Sequence, residues 1–270
     1  MNPELLSAVE TPLPSGRMIT SDEGDGDVQV LWMSDRPATA ELWARVHAER
    51  TRTGLWPLLL DSGDPRDSEF RPWASGELFP ERMSSPDAHN PAGLLVGWWK
   101  DYTVIDEDDD MLSPEDRLAV TAPFGLVWPG LAPAHQPTID PDTAAADHAQ
   151  HFAARRPQSR LGLVAADSGA HALTAAGWDG PVNYDNDTAK FSAIVASWEE
   201  RFGARVVAVG PSTLHLSVAA PPTSTEDALL VAAEHFAFCP DNIWQGSHPN
   251  TLAAYAERLV HDRFWDFWWD

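Results

Sequence analysis

With 270 residues and 43% apolar content, the chain can bury one large core or two modest ones, and wholesale disorder is excluded. Eighteen basic residues against 41 acidic ones leave a formal charge of −23, a field that repels nucleic acid and anionic membrane and leaves a protein, a basic one if charge draws it, as the expected partner. Cys239 is the single cysteine, so an intrachain disulfide and a cysteine-rich zinc site are both excluded.

The opening Met1-Asn2-Pro3-Glu4-Leu5-Leu6 lacks the basic start and long apolar core of a signal peptide. No stretch of about 18 uncharged apolar residues exists to span a membrane. Sixteen arginines against two lysines, Lys100 and Lys190, fit a GC-rich bacterial genome, and the expected location is the cytoplasm. Thirteen tryptophans run from Trp32 to Trp269; rings of that size with an N–H to satisfy belong mostly in a core or at its edge.

Residues 1–27 read as a loosely ordered segment, with Pro12, Pro14 and an acidic, glycine-rich turn at 21–27. A region of α/β character follows over 28–135. It opens on a strand at 28–33 and a helix from about Thr39 to Arg50, with Leu42, Trp43, Val46 and His47 on one face. After Gly54, the run 55–60 reads as a strand in which Pro57 requires an edge or a bulge. Asp87 is the expected cap of a helix carrying Leu94, Leu95, Trp98 and Trp99. Asp106 to Asp110 read as a solvated acidic loop, and Ser113-Pro114-Glu115-Asp116 as a helix start. Four prolines between 129 and 141 and a polar, alanine-rich helix of about 143–154 make 136–159 the expected linker between domains.

From 160 to 270 the pattern is that of an α+β domain, with helices packed on a small, mainly antiparallel sheet. A strand at 161–165 and a short helix at 168–176 come first. Asp187 and Gly203 bracket a helix whose Phe191, Ile194, Val195, Trp198 and Phe202 share a face. The strands 205–209 and 213–219 form a hairpin beneath it, with Leu214, Leu216 and Val218 inward. Thr223 and Glu226 form a capping box, Pro240 ends that helix at Cys239, and Asn250 caps the last one. The closing Phe264-Trp265-Asp266-Phe267-Trp268-Trp269-Asp270 is too aromatic to be free and should dock on the core. A helix–Gly–strand unit occurs twice, at 39–60 and 188–209, which raises the question of a duplication.

Three blocks, Trp198-Glu199-Glu200-Arg201-Phe202-Gly203-Ala204-Arg205, Ala233-Glu234-His235-Phe236-Ala237-Phe238-Cys239-Pro240-Asp241-Asn242 and Phe267-Trp268-Trp269-Asp270, occur in order. Together they resemble the bacterial domain-of-unknown-function family 4253 over residues 160–270. Gly54 to Leu60 and Gly97-Trp98-Trp99 are similar to the upstream region of its longer members. The resemblance implies no activity and no catalytic residues.

His235, Cys239 and Asp241 form the one grouping that suggests nucleophilic catalysis, since His235 and Cys239 share a helical face and Asp241 could orient the imidazole. Against it, Cys239 stands at a helix C-terminus, where the dipole disfavours a thiolate. Asn183-x-Asp185-x-Asp187 resembles the start of a calcium loop but lacks the glycine at Thr188 and the closing glutamate at Ile194. Tyr184 and Asp185 in that loop, and Trp244 and Gln245 just after Asp241, are the candidate binding residues. His148 and His151 with Asp147 have metal-ligand spacing on a polar helix, where surface histidines are the default reading. Gly24-x-Gly26 lacks a third glycine at Gln29, Ser168 lacks the glycines of a nucleophile elbow, and no phosphate-loop lysine occurs. No cofactor or metal is assigned. The expectation is a non-enzymatic binding protein of inhibitor or immunity type, with a hydrolase-like enzyme built on His235, Cys239 and Asp241 as the alternative.

Overall fold

The computed structural model describes residues 2–104, 113–246 and 248–270; the acidic run Asp106 to Asp110 lies outside them. The strands are β1 (Gly16–Ser21), β2 (Gly26–Pro37), β3 (Leu55–Leu60), β4 (Arg160–Ala165), β5 (Ala204–Val209), β6 (Thr213–Val218) and β7 (Phe264–Trp268). They join in one sheet of order β1-β2-β4-β3-β5-β6-β7, antiparallel at every junction except β3–β5. The helices are α1 (Ala40–Thr53), α2 (Pro91–Thr103), α3 (Pro114–Val120), α4 (Pro141–Arg155), α5 (Gly169–Ala175), α6 (Thr188–Phe202), α7 (Thr225–Phe238), α8 (Asp241–Trp244) and α9 (Leu252–Leu259). The fold class is α+β, as the patterning indicates.

β4 lies between β2 and β3, so the first strand of the 160–270 segment is paired on both sides by strands from the 28–135 region. The linker expected at 136–159 therefore does not divide the sheet. Its helix α4 presents Ala144, Ala145, Ala149 and Phe152, all buried, to α1, β5 and β6. Small alanine side chains give a weak apolar signal in sequence yet let a helix approach a sheet closely.

The sheet is covered on both faces. Trp56, Leu58 and Leu60 of β3, with Leu214 and Leu216 of β6, face the larger core beneath α2, α5, α6, α7 and α9. Leu55 and Leu59, with Leu161, Leu163, Val207 and Ala208, face the smaller one beneath α1 and α4. Helix α6 packs on β5 as expected, with Phe191, Trp198, Leu214, Leu216 and Val218 all buried, but a second helical layer behind the sheet replaces the expected single one. The helices of the two helix–Gly–strand units end in left-handed Gly54 and Gly203, and the units place β3 and β5 side by side in parallel. Their helices sit on opposite faces, so a shift along the sheet does not superpose them.

Pro57 stands in an interior strand rather than at an edge. The β3–β5 ladder is confined to Leu59↔Ala208 and Leu60↔Val209, so the ladder is open where the proline lacks its N–H. Indole groups take up the carbonyls left over: Trp43 Nε1 donates to Pro57 O at 3.0 Å and Trp56 Nε1 to Val206 O at 3.0 Å. At the ends of the same strands, Trp73 and Trp178 donate to Asp61 O and Gly210 O at 2.7 and 2.8 Å. Four of the thirteen tryptophans thus satisfy carbonyls along β3 and β5 or just beyond them.

Residues 1–27 are more ordered than expected. The acidic turn is the tip of the β1–β2 hairpin, and Leu5, Leu6, Val9 and Leu13 pack against the α1 cluster. Glu49 of α1 holds this segment by accepting from the backbone N–H groups of Glu10 and Thr11 at 2.8 and 2.9 Å. Caps differ by a few residues from the expected ones. Asn90 rather than Asp87 caps α2, Ser224 rather than Thr223 caps α7, and Thr251 rather than Asn250 caps α9. In each case a neighbouring residue of the same capping type is the one whose oxygen reaches the N2 or N3 amide.

Candidate functional site

The end of α7, the single turn α8 and strand β7 bring His235, Cys239 and Asp241 into one region without joining them. Pro240 ends α7 and leaves Cys239 as its C-cap, fully buried. Its Sγ donates to Trp268 O at 2.9 Å and lies 3.5 Å from Asn242 Oδ1. Desolvation pushes the thiol well above its ordinary range, which disfavours the thiolate a nucleophile needs.

His235 turns the other way. Asn242 Nδ2 donates to Tyr255 Oη at 3.2 Å, which leaves the tyrosine proton for His235 Nδ1 at 3.0 Å. The ring sits 4.5 Å from Trp265, 4.8 Å from Phe267 and 5.1 Å from Trp198, and desolvation first, then the Arg201 charge, lowers its pKa to about 3. It is a neutral piece of the aromatic core.

Asp241, also buried, accepts from Tyr184 Oη at 2.8 Å, Gln245 Nε2 at 2.9 Å and the Asp270 backbone N–H at 3.1 Å. Two of the candidate binding residues, Tyr184 and Gln245, therefore meet on Asp241. Trp244 packs edge-on against Tyr102 and Phe236, and Asp185 pairs with Lys190.

Sequence reading missed a second cluster. Glu234 has no exposed surface, yet it is fully engaged. Arg201 reaches both its oxygens at 2.8 and 2.6 Å, Trp198 Nε1 donates at 2.8 Å and the Ala132 N–H at 2.7 Å. The signal was present in the sequence, because a glutamate between Ala233 and His235, inside the largely apolar run 228–238, needs a partner. Asn242 was missed too. Its Nδ2 donates to Asp266 O at 2.8 Å and its Oδ1 accepts from Trp268 N at 3.3 Å, so it closes the outer edge of β7 as a strand would.

Residues 160–270 match the DUF4253 family, a domain of unknown function. No curated protein and no solved structure matches the chain. The blocks that carry the DUF4253 resemblance are the residues just described: Trp198, Arg201 and Glu234 form the buried charge network, and Cys239, Asp241 and Asn242 hold the closing strand. They are accounted for by folding. Asp187 caps α6 by accepting from Ala189 N and also accepts from Ser84 N, and among the described residues no cluster with metal-ligating geometry occurs. His148 is buried against Phe264 rather than lying on the surface.

Outside the DUF4253 segment, α2, α3 and the turn after α3 carry several exposed apolar residues. Asn90 caps α2 and Ser113 caps α3, which turn Leu95, Trp99 and Val120 inward. Trp99 Nε1 then donates to Leu126 O at 3.3 Å, while Trp128 and Phe124 pack on the same indole. That anchoring leaves Leu118 exposed, with Leu126 54% and Val127 72% exposed, and Val96 on α2 and Val104 just after it outward. Asp101, Glu115 and Asp116 lie exposed on the same two helices. Among the described residues no helix is long and apolar enough to cross a membrane.

Proposed function

We propose that this is a non-enzymatic interaction protein of the bacterial cytoplasm that binds a basic protein partner, in the manner of an inhibitor or immunity protein. The observation that carries the reading is the pair Leu126 and Val127 beyond α3, held outward by the Trp99–Leu126 hydrogen bond in a chain of charge −23. Apolar residues anchored so exposed mark a contact surface, and the surrounding charge selects a cationic counterpart and speeds its approach. The arginine-rich, cysteine-poor composition supports the location. The hydrolase-like alternative draws no support from His235, Cys239 and Asp241, each of which is engaged by the fold.

The test compares the wild type with a Leu126→Asp, Val127→Asp variant as bait in a bacterial extract, then measures the purified partner by calorimetry. A basic protein bound by the wild type and at least about tenfold more weakly by the variant is expected, since a few central apolar residues carry most of such an interface. The melting temperature should be the same for both. A partner that binds both forms equally, or an acidic one, would overturn the assignment.

A further inference from the structure

On the opposite face of the sheet, α4 and the β6–β7 pair enclose a groove of about 340 Å³, a volume within the range of small-molecule sites. His148, His151, Phe152 and Arg155 recur at the spacing that shares one side of α4. Across from them, His215 and Asp266 are direct partners in the β6–β7 ladder, with Nδ1 and Oδ1 2.7 Å apart. Asp266 thereby fixes the His215 ring. Phe264, on the same face of β7, lies 4.5 and 5.1 Å from the rings of His148 and His151.

Two observations indicate a ligand. His148 is only 4% exposed and its Nδ1 has no hydrogen-bond partner among the described residues. A buried ring nitrogen left unpaired is costly, and the ring that carries it lines the groove. Secondly, in a strongly acidic chain this groove gathers three imidazoles and two guanidinium groups around one carboxylate that His215 already engages. Arg155 makes no ion pair among the described residues, and Arg156 reaches only Asp61, at 3.5 Å.

We propose that the groove binds a small phosphate monoester. Arg155 and Arg156 hold the phosphate, for which the planar guanidinium fork is suited. His151 and His215 flank it, and the buried His148 ring backs the groove. Phe264 and Phe152 receive the organic part of the ester. This site is independent of the α2–α3 surface and stands whether or not that surface binds a partner.

The experiment titrates the full-length protein with phenyl phosphate, inorganic phosphate and phenol, following the histidine ring resonances by NMR. Phenyl phosphate should give saturable shifts of His148, His151 and His215, inorganic phosphate should bind several-fold more weakly, and phenol should leave the rings unmoved. Arg155→Ala should weaken phenyl phosphate about tenfold or more, the loss expected for one charge-assisted hydrogen bond, with partial recovery in Arg155→Lys. Arg155 is exposed, so neither variant threatens the fold. Absence of saturable shifts, or equal affinity in Arg155→Ala, would overturn the site, and equal affinity for inorganic phosphate would overturn the monoester assignment.

Discussion

Arg201 and Glu234 show how a single buried charge governs its neighbourhood. The carboxylate has no exposed surface and its partner's side chain only 14%, so the pair has surrendered most of its hydration. Arg201→Met leaves the buried Glu234 carboxyl with only Trp198 and Ala132 as donors, and the expected cost is about 3–5 kcal/mol, as for other broken buried pairs. Arg201→Met combined with Glu234→Met should recover much of that loss, because no stranded charge remains. Chemical denaturation of the two variants checks this; a single variant as stable as the wild type would mean that the pair is solvated.

At the scale of elements, β7 closes the sheet. Trp265, Phe267 and Trp269 point into the larger core, where Trp198 and Phe238 pack against them, and Phe264 and Asp266 point to α4. Burying each such ring contributes about 2–3 kcal/mol, so three represent much of the net stability of an ordinary domain. Removing residues 264–270 is expected to give insoluble protein or a melting temperature lowered by more than about 10 °C. Asn242→Ala is the milder test. It frees the Asp266 carbonyl and Trp268 N–H on the outer edge and should cost about 1–3 kcal/mol, measured by thermal denaturation.

For the whole molecule, the strand order predicts how the chain can be divided. A fragment of residues 160–270 carries β4 without β2 or β3 and β5 without β3, so we expect it to show no cooperative melt by circular dichroism. A sharp transition like that of the full chain would make the segment an autonomous domain. Acid stability is likewise a global property. Burial lowers His47 and His235 to about 3 and His148 to about 4, and raises Glu199 to about 7. Between about pH 4.5 and 6.5 the unfolded chain holds protons on three histidines that the folded one does not, so stability rises with pH. Glu199 acts in reverse, because only the folded state keeps its proton there, and burial shifts Asp179 and Asp262 in the same upward direction. The net is at most about two protons, or up to about 3 kcal/mol per pH unit near pH 5.5. Glu199→Gln should steepen that slope and stabilise the protein at pH 8; denaturation across pH 4.5–8 reads both.

The helix at 188–202, the hairpin of β5 and β6, the end of α7 at Pro240 and the docking of the closing aromatics were all legible in the sequence. Each is decided by short-range physics: a 3.6- or 2-residue period, a capping oxygen, a proline, or apolar surface that water disfavours. The place of Cys239 at a helix C-terminus was legible for the same reason. Tertiary structure alone decided that β4 enters between β2 and β3, that Pro57 is tolerated in an interior strand, and that an alanine-rich helix forms a second layer. It also decided that His215 and Asp266, 51 residues apart, become one pair. Those outcomes depend on which distant segments bury one another, and no local pattern in the chain records that choice.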